Sequence, residues 1–199
     1  MDIVLQILIL VTAIILHECA HGWMAYKLGD PTAKDAGRLT LNPIKHIDPV
    51  GSILLPGILF LLNMPLFGWA KPVPINFLRL KNPKRDMMLV GMAGPLTNIF
   101  IALIASQILK INLPAWGRDL GEMAILINVL LATFNMIPIL PLDGSRLVAG
   151  LLPNSLMISY LRLEPYGIMI VMLLLALGSL NNIIIPIVYY VSQLLGVRA

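Results

Sequence analysis

Cysteine and charge are both scarce in this chain of 199 residues. A single cysteine, Cys19, excludes an internal disulfide and any metal site built from several thiolates. Charged residues make up only 12% of the sequence against 58% hydrophobic residues, and the mean hydropathy is +0.88. That balance excludes an ordinary soluble domain and describes an integral membrane protein. No internal repeat or low-complexity stretch occurs, and no connection is long enough for a separate soluble domain of PDZ size. The formal net charge of +4 comes from basic residues gathered in one connection. This is a membrane-topology signal rather than a nucleic-acid footprint, so no nucleic-acid partner is expected.

Histidine and glutamate are equally rare, with three of each, yet two histidines and one glutamate fall within five residues, His17-Glu18-Cys19-Ala20-His21. On a helix, positions i and i+4 share a face, so both imidazoles point the same way with Glu18 beside the first. Two histidines so placed bind zinc, and the glutamate works as general base on water. Residues 4–16 ahead of the motif are nearly unbroken hydrocarbon. A charged group at such depth costs about 2.5–3.5 kcal/mol, and a metal supplies the compensating role. Cys19, small and apolar, reads as a helix-packing residue rather than a ligand.

Residues 2–28 as one helix would be about 40 Å long, enough to cross a hydrocarbon core of about 30 Å. No basic segment precedes this stretch and no small-residue cleavage site follows it, so it reads as retained rather than as a signal peptide. Further spans read at residues 87–109, 120–140 and 165–191, the last interrupted by Gly178 and Asn181-Asn182, so that it is either one tilted span or a span with an interfacial tail. Nine basic residues, Lys27 to Arg85, lie between the first span and the second. That places the connection in the cytoplasm, the N-terminus outside and the motif near the cytoplasmic face. Residues 50–67 are apolar but have basic flanks on both sides. A dipping element that returns to the same face fits better than a crossing. Residues 38–42, Arg-Leu-Thr-Leu-Asn, alternate and stop at Pro43, which reads as a short strand. The expectation is an all-α integral membrane protein with about four to six transmembrane or membrane-dipping helical segments. A small cytoplasmic loop would carry the strand, and residues 1–199 would form a single polytopic domain.

A zinc hydrolase holds its metal with three protein ligands and leaves one position open. Glu122 and Glu164 fall near the ends of their segments, and Asp30 and Asp35 follow the first helix too closely. His46 and Asp48 read as turn residues before Pro49. Asp143 is the better candidate. Its span runs inward to the depth of the histidines, Pro138 and Pro141 break the helix there, and Gly144 permits a close turn. Asp143 also stands where it would cap the next segment.

HECAH, then residues 92–98 (MAGPLTN) and residues 135–144 (NMIPILPLDG), resemble the site-2 protease family of intramembrane zinc metalloproteases. The stretches GRLTLNP (37–43), HIDP (46–49) and GWAKPVP (68–74) are similar to its small prokaryotic members, which lack a PDZ domain. The resemblance implies one zinc per chain on His17, His21 and Asp143, Glu18 as base and Asn135 as hydrogen-bond donor to the oxyanion. It also implies transmembrane protein substrates, a lipid environment and a prokaryotic cell membrane. Two other readings stand beside it. One is a membrane peptidase acting on cytoplasmic peptides, which needs a downstream glutamate ligand. The other is a metal or ion transporter, which needs more polar residues along the first helix than Gln6 and Thr12.

Overall fold

The apolar run that opens the chain forms helix α1 (Ile3–Lys27), about 37 Å long at 1.5 Å per residue. The computed structural model describes residues 3–62 and 68–198. Ile3, Val4, Ile7 and Leu8 of α1 are each more than half exposed, which is tolerable only against lipid. The helix stops where Gly29 takes a φ of +112°, so that the Asp30 N–H reaches back to the Ala25 carbonyl at 2.9 Å. Asp30 is itself fully buried. Its carboxylate accepts from the Thr32 and Asn76 amides, the latter at 2.6 Å, which gives it a structural place rather than a site role.

A single turn, α2 (Thr32–Asp35), leads into an irregular loop. No strand occurs among the described residues, so the strand expected at residues 38–42 is not there. Alternation supplies two faces but not a partner. The Thr40 carbonyl takes the Cys19 thiol at 3.3 Å and the His46 ring at 2.9 Å, and the Asn42 N–H goes to the Thr40 hydroxyl. With these groups engaged by side chains, no ladder forms.

Asp48 caps the next element, accepting from the Val50 and Gly51 amides at 3.0 and 2.7 Å. A wide π-type turn (Pro49–Leu54) runs into α3 (Leu55–Leu61). Together they span about 20 Å, short of a bilayer core. The chain then comes back to where it left. The Trp69 N–H donates to the Gly51 carbonyl at 3.1 Å, the Ser52 hydroxyl to the Trp69 carbonyl at 2.8 Å, and the Lys71 N–H to the His46 carbonyl at 2.9 Å. The excursion expected at residues 50–67 therefore begins and ends side by side, and residues 63–67 lie outside the described residues.

Helix α4 (Pro83–Ile108) starts four residues earlier than the sequence reading, because Pro83 suits the first turn and the Asp86 carboxylate reaches back to the Asn82 N–H at 2.8 Å. It is the hub of the fold, packed on α1, on α5 (Ala115–Asn135) and on α6 (Asp143–Leu151). Its buried side is small, with Gly91, Ala93, Gly94, Ala102 and Ala105, which lets helices approach closely without a polar driving force. Above the site, Ala102, Ala105 and Leu109 meet Ile125 and Val129 of α5 in an apolar cluster.

Two expected spans differ from the structure. The helix read at residues 120–140 begins at Ala115 and ends at Asn135. Pro138 and Pro141 cannot donate into a continuing helix, and the residue ahead of each is biased away from it. The stretch read at residues 165–191 is divided into α8 (Glu164–Ala176) and α9 (Asn181–Leu194). A helix that the sequence reading left out, α7 (Asn154–Leu161), precedes them and meets α8 at a 65° bend. Among the described residues, two helices, α1 and α4, are long and apolar enough to cross a membrane, or three if α7 and α8 form one bent span. The chain is thus all-helical among the described residues, with helices apolar enough for a membrane protein.

Candidate metal centre

Because α1 is helical through the motif, His17 and His21 lie one above the other on its inner face, both buried. Asp143 arrives from the opposite side as the first residue of α6, after the chain has been turned by residues 136–142. The N-cap of α6 is Leu142 and Asp143 is already the first helical residue, so the capping position open to it in the sequence is not the one it takes. The His17 Nε2 and His21 Nε2 atoms stand 3.0 and 3.2 Å from Asp143 Oδ2, and 3.0 Å from each other.

Which protons these atoms carry follows from what lies behind them. The Asn128 amide donates to the Ala124 carbonyl at 2.8 Å, leaving its oxygen to accept from the Asn98 amide at 2.9 Å. The Asn98 oxygen then faces His17 Nδ1 at 2.6 Å. A backbone carbonyl cannot donate, so the whole relay is polarised and Nδ1 of His17 must carry the hydrogen. His21 Nδ1 faces the Val90 carbonyl at 2.7 Å and is fixed in the same way. Both Nε2 atoms therefore present lone pairs to a carboxylate oxygen that is buried without a hydrogen-bond donor. Three lone pairs at 3.0–3.2 Å are mutually repulsive unless a cation lies among them. Ligand atoms held tetrahedrally by bonds near 2.0–2.1 Å sit about 3.3 Å apart, close to what is seen. The donor set of two imidazoles and one carboxylate suits zinc, and His17, His21 and Asp143 form the metal-competent cluster among the described residues.

Helix α4 makes room for this arrangement. A Cβ on Gly94 would fall within 2.6 Å of His17 Cε1 and Nε2, and would also strike His21 Nε2. Asn98 is fully buried with its oxygen and both amide hydrogens engaged, the second reaching toward the Ala13 carbonyl at 3.4 Å. The sequence reading gave neither Gly94 nor Asn98 a role, and it passed over Asn128. The available signal was a polar side chain inside each of two apolar runs.

The centre opens on a cavity of about 600 Å³, lined among others by Ile14, Glu18, Asn135, Phe134, Trp69 and Val73. Glu18 shares this cavity, and its Oε2 accepts the Val73 N–H at 2.9 Å. Asn135 lies at the end of α5 and donates one amide hydrogen to the Leu131 carbonyl at 2.9 Å. His46 and Asp48 stay in the loop, hydrogen-bonded to Thr40 and to backbone amides as the sequence reading had them. Glu164 pairs with Arg146 away from the histidines.

The chain is 37% identical over 185 residues to YwhC of Bacillus subtilis, named as a zinc metalloprotease, with 87% of this chain and 81% of that protein covered. The chain belongs to the site-2 protease family of zinc metalloproteases. Rip2 of Mycolicibacterium smegmatis, also named as a zinc metalloprotease, is 28% identical, covering 92% of this chain and 71% of its own length. Zinc metalloprotease MJ0392 of Methanocaldococcus jannaschii is 29% identical over 92% of this chain, which spans 46% of that longer protein. No family model and no solved structure matches the chain. Membership makes the chain a zinc metalloendopeptidase.

Proposed function

We propose that the chain is an intramembrane zinc metalloprotease that hydrolyses peptide bonds in or near transmembrane segments of other membrane proteins. The observation that carries this reading is that the Asp143 carboxylate meets two imidazole lone pairs of a helix apolar enough to cross a membrane. His17, His21 and Asp143 hold one zinc per chain. When bound, zinc supplies Lewis acidity to the scissile carbonyl and acidifies water at neutral pH. Glu18, beside the first ligand and on the cavity wall, takes the proton of the attacking water and returns it to the leaving amine. Asn135 turns its second amide hydrogen toward the oxyanion that develops on the substrate, a contact worth roughly 10²–10³ in rate.

A helical substrate hides its carbonyls in its own hydrogen bonds and must unwind to be cut. Residues 68–76 run without helix along the cavity, with the amides of Trp69 and Lys71 turned to the loop behind. Ala70, between them, makes no backbone hydrogen bond among the described residues. Its N–H and carbonyl are the edge on which an unwound substrate pairs. The N-terminus lies outside and the centre near the cytoplasmic face, because the basic residues gather between α1 and α4. Single cysteines at positions 35 and 81, in a chain with Cys19 replaced, should be labelled from that one side.

The test is incubation of purified protein with a panel of single-span substrates. Cleavage should stop with a zinc chelator and return with zinc, and Asn135→Ala should cut turnover by roughly 10²–10³ at unchanged zinc content. Cleavage indifferent to chelation would reject the reading, and cleavage confined to soluble peptides would move the activity out of the membrane.

A further inference from the structure

Arg38 is the charged side chain in this fold with the least obvious reason to be where it is. It is 8% exposed, and no carboxylate lies within ion-pair distance of it among the described residues. Burying an unpaired charge is costly, and its Nε finds no acceptor among the described residues. What the guanidinium does reach is the strap along the cavity, where Nη2 donates to the Lys71 carbonyl at 2.7 Å and to the Pro72 carbonyl at 3.3 Å. The next residue in the strap is Val73, whose N–H donates to Glu18 Oε2 at 2.9 Å. Pro72 and Pro74 flank it and have no N–H of their own to offer. The Val73 amide is therefore the donor that this part of the strap can present to the carboxylate, and the arginine is anchored on the two residues before it.

We infer that Arg38 is a positioning residue: by clamping the carbonyls of residues 71 and 72 it holds the Val73 N–H against Glu18 and fixes the orientation of that carboxylate. The inference rests on Glu18 being the base, as proposed above. An arginine suits the task because Nη2, held in the plane of the guanidinium, directs its hydrogens at the two neighbouring carbonyls in one fixed geometry, which a freely rotating lysine ammonium does not reproduce. Displacing a reacting group by about 1 Å costs on the order of 10²-fold in rate.

The experiment compares zinc-loaded wild type, Arg38→Ala, Arg38→Lys and Ser52→Ala on one single-span substrate. Ser52 serves as the control, since its hydroxyl ties the same strap at Trp69, four residues before the amide that meets Glu18. Arg38→Ala should lower kcat by about 10–100-fold with KM within about twofold, at unchanged zinc content. Arg38→Lys should recover part of that loss, and Ser52→Ala should stay within about threefold of wild type. A second readout does not depend on turnover. The infrared carboxylate band that disappears in Glu18→Gln should shift in Arg38→Ala and hold still in Ser52→Ala.

An unmoved band, equal losses in Arg38→Ala and Ser52→Ala, or a raised KM at constant kcat would each overturn the inference. If Arg38→Ala does not fold, Arg38→Lys decides by the same band and the same split between kcat and KM. Should wild type itself fail to cleave, the proteolytic reading falls, while the band still decides whether Arg38 sets the carboxylate.

Discussion

Helices α1 and α4 are nearly twins on paper, 25 and 26 residues long and both apolar enough to cross a bilayer, but 17% of the apolar window is buried in α1 against 44% in α4. The peripheral helix carries the candidate ligands His17 and His21 and the candidate base Glu18. The central helix carries no ligand and no base, yet it decides where the imidazoles point, through Gly94, Asn98 and the Val90 carbonyl. Exposure and function are thus divided. The outward side of α1 is left to lipid, while its partner supplies the buried hydrogen bonds that fix each ring's tautomer. A mutational scan confined to the motif would see only half of the site.

The division can be broken from either helix. The largest effect belongs to α1. Glu18→Gln keeps size and hydrogen bonding but removes the base, so cleavage should fall by about 10²–10⁴-fold while zinc stays, measured by turnover and metal content on the same preparation. Loss of zinc together with activity would mean that Glu18 holds the metal or the fold, and the separation of roles on α1 would fail. Next comes α4. Asn98→Ala strips the acceptor from His17 Nδ1 and leaves the Asn128 oxygen without its donor, and should weaken zinc affinity or activity by about 10–100-fold. Asn98→Asp, which retains an acceptor for the ring, should keep more zinc than the alanine variant in a chelator competition. Equal affinities in wild type and Asn98→Ala would reduce α4 to a spacer. The smallest effect is expected on the exposed side of α1. Leu8→Ala, at a position 55% exposed, should leave stability within about 0.5 kcal/mol and zinc content unchanged. A drop in zinc there would show that the outward face is not simply lipid-facing.

The sequence disclosed local relations well. His17 and His21 are four residues apart on one helix, and that spacing alone puts their rings together. Asp143 followed from depth along a second helix and from prolines that end it, which are also local facts. What escaped was set by tertiary contact. Asn98 meets His17 across 81 positions and Val73 meets Glu18 across 55, and no periodicity announces such pairs. The false strand at residues 38–42 had the same cause in reverse, since a correct local alternation found the Thr40 carbonyl already engaged by Cys19 and His46. Helix ends behaved similarly. Asn135 closes α5 three residues before Pro138, whereas hydrophobicity alone carries the run on to Leu140.

Whether His17, His21 and the distant Asp143 form one metal site is measured directly by metal content. Purified wild-type protein should hold about one zinc per chain, His46→Ala should hold as much, and Asp143→Ala should lose most of it under the same chelator wash. Asp143→Ala that kept its full complement of zinc would contradict the site as it is built here.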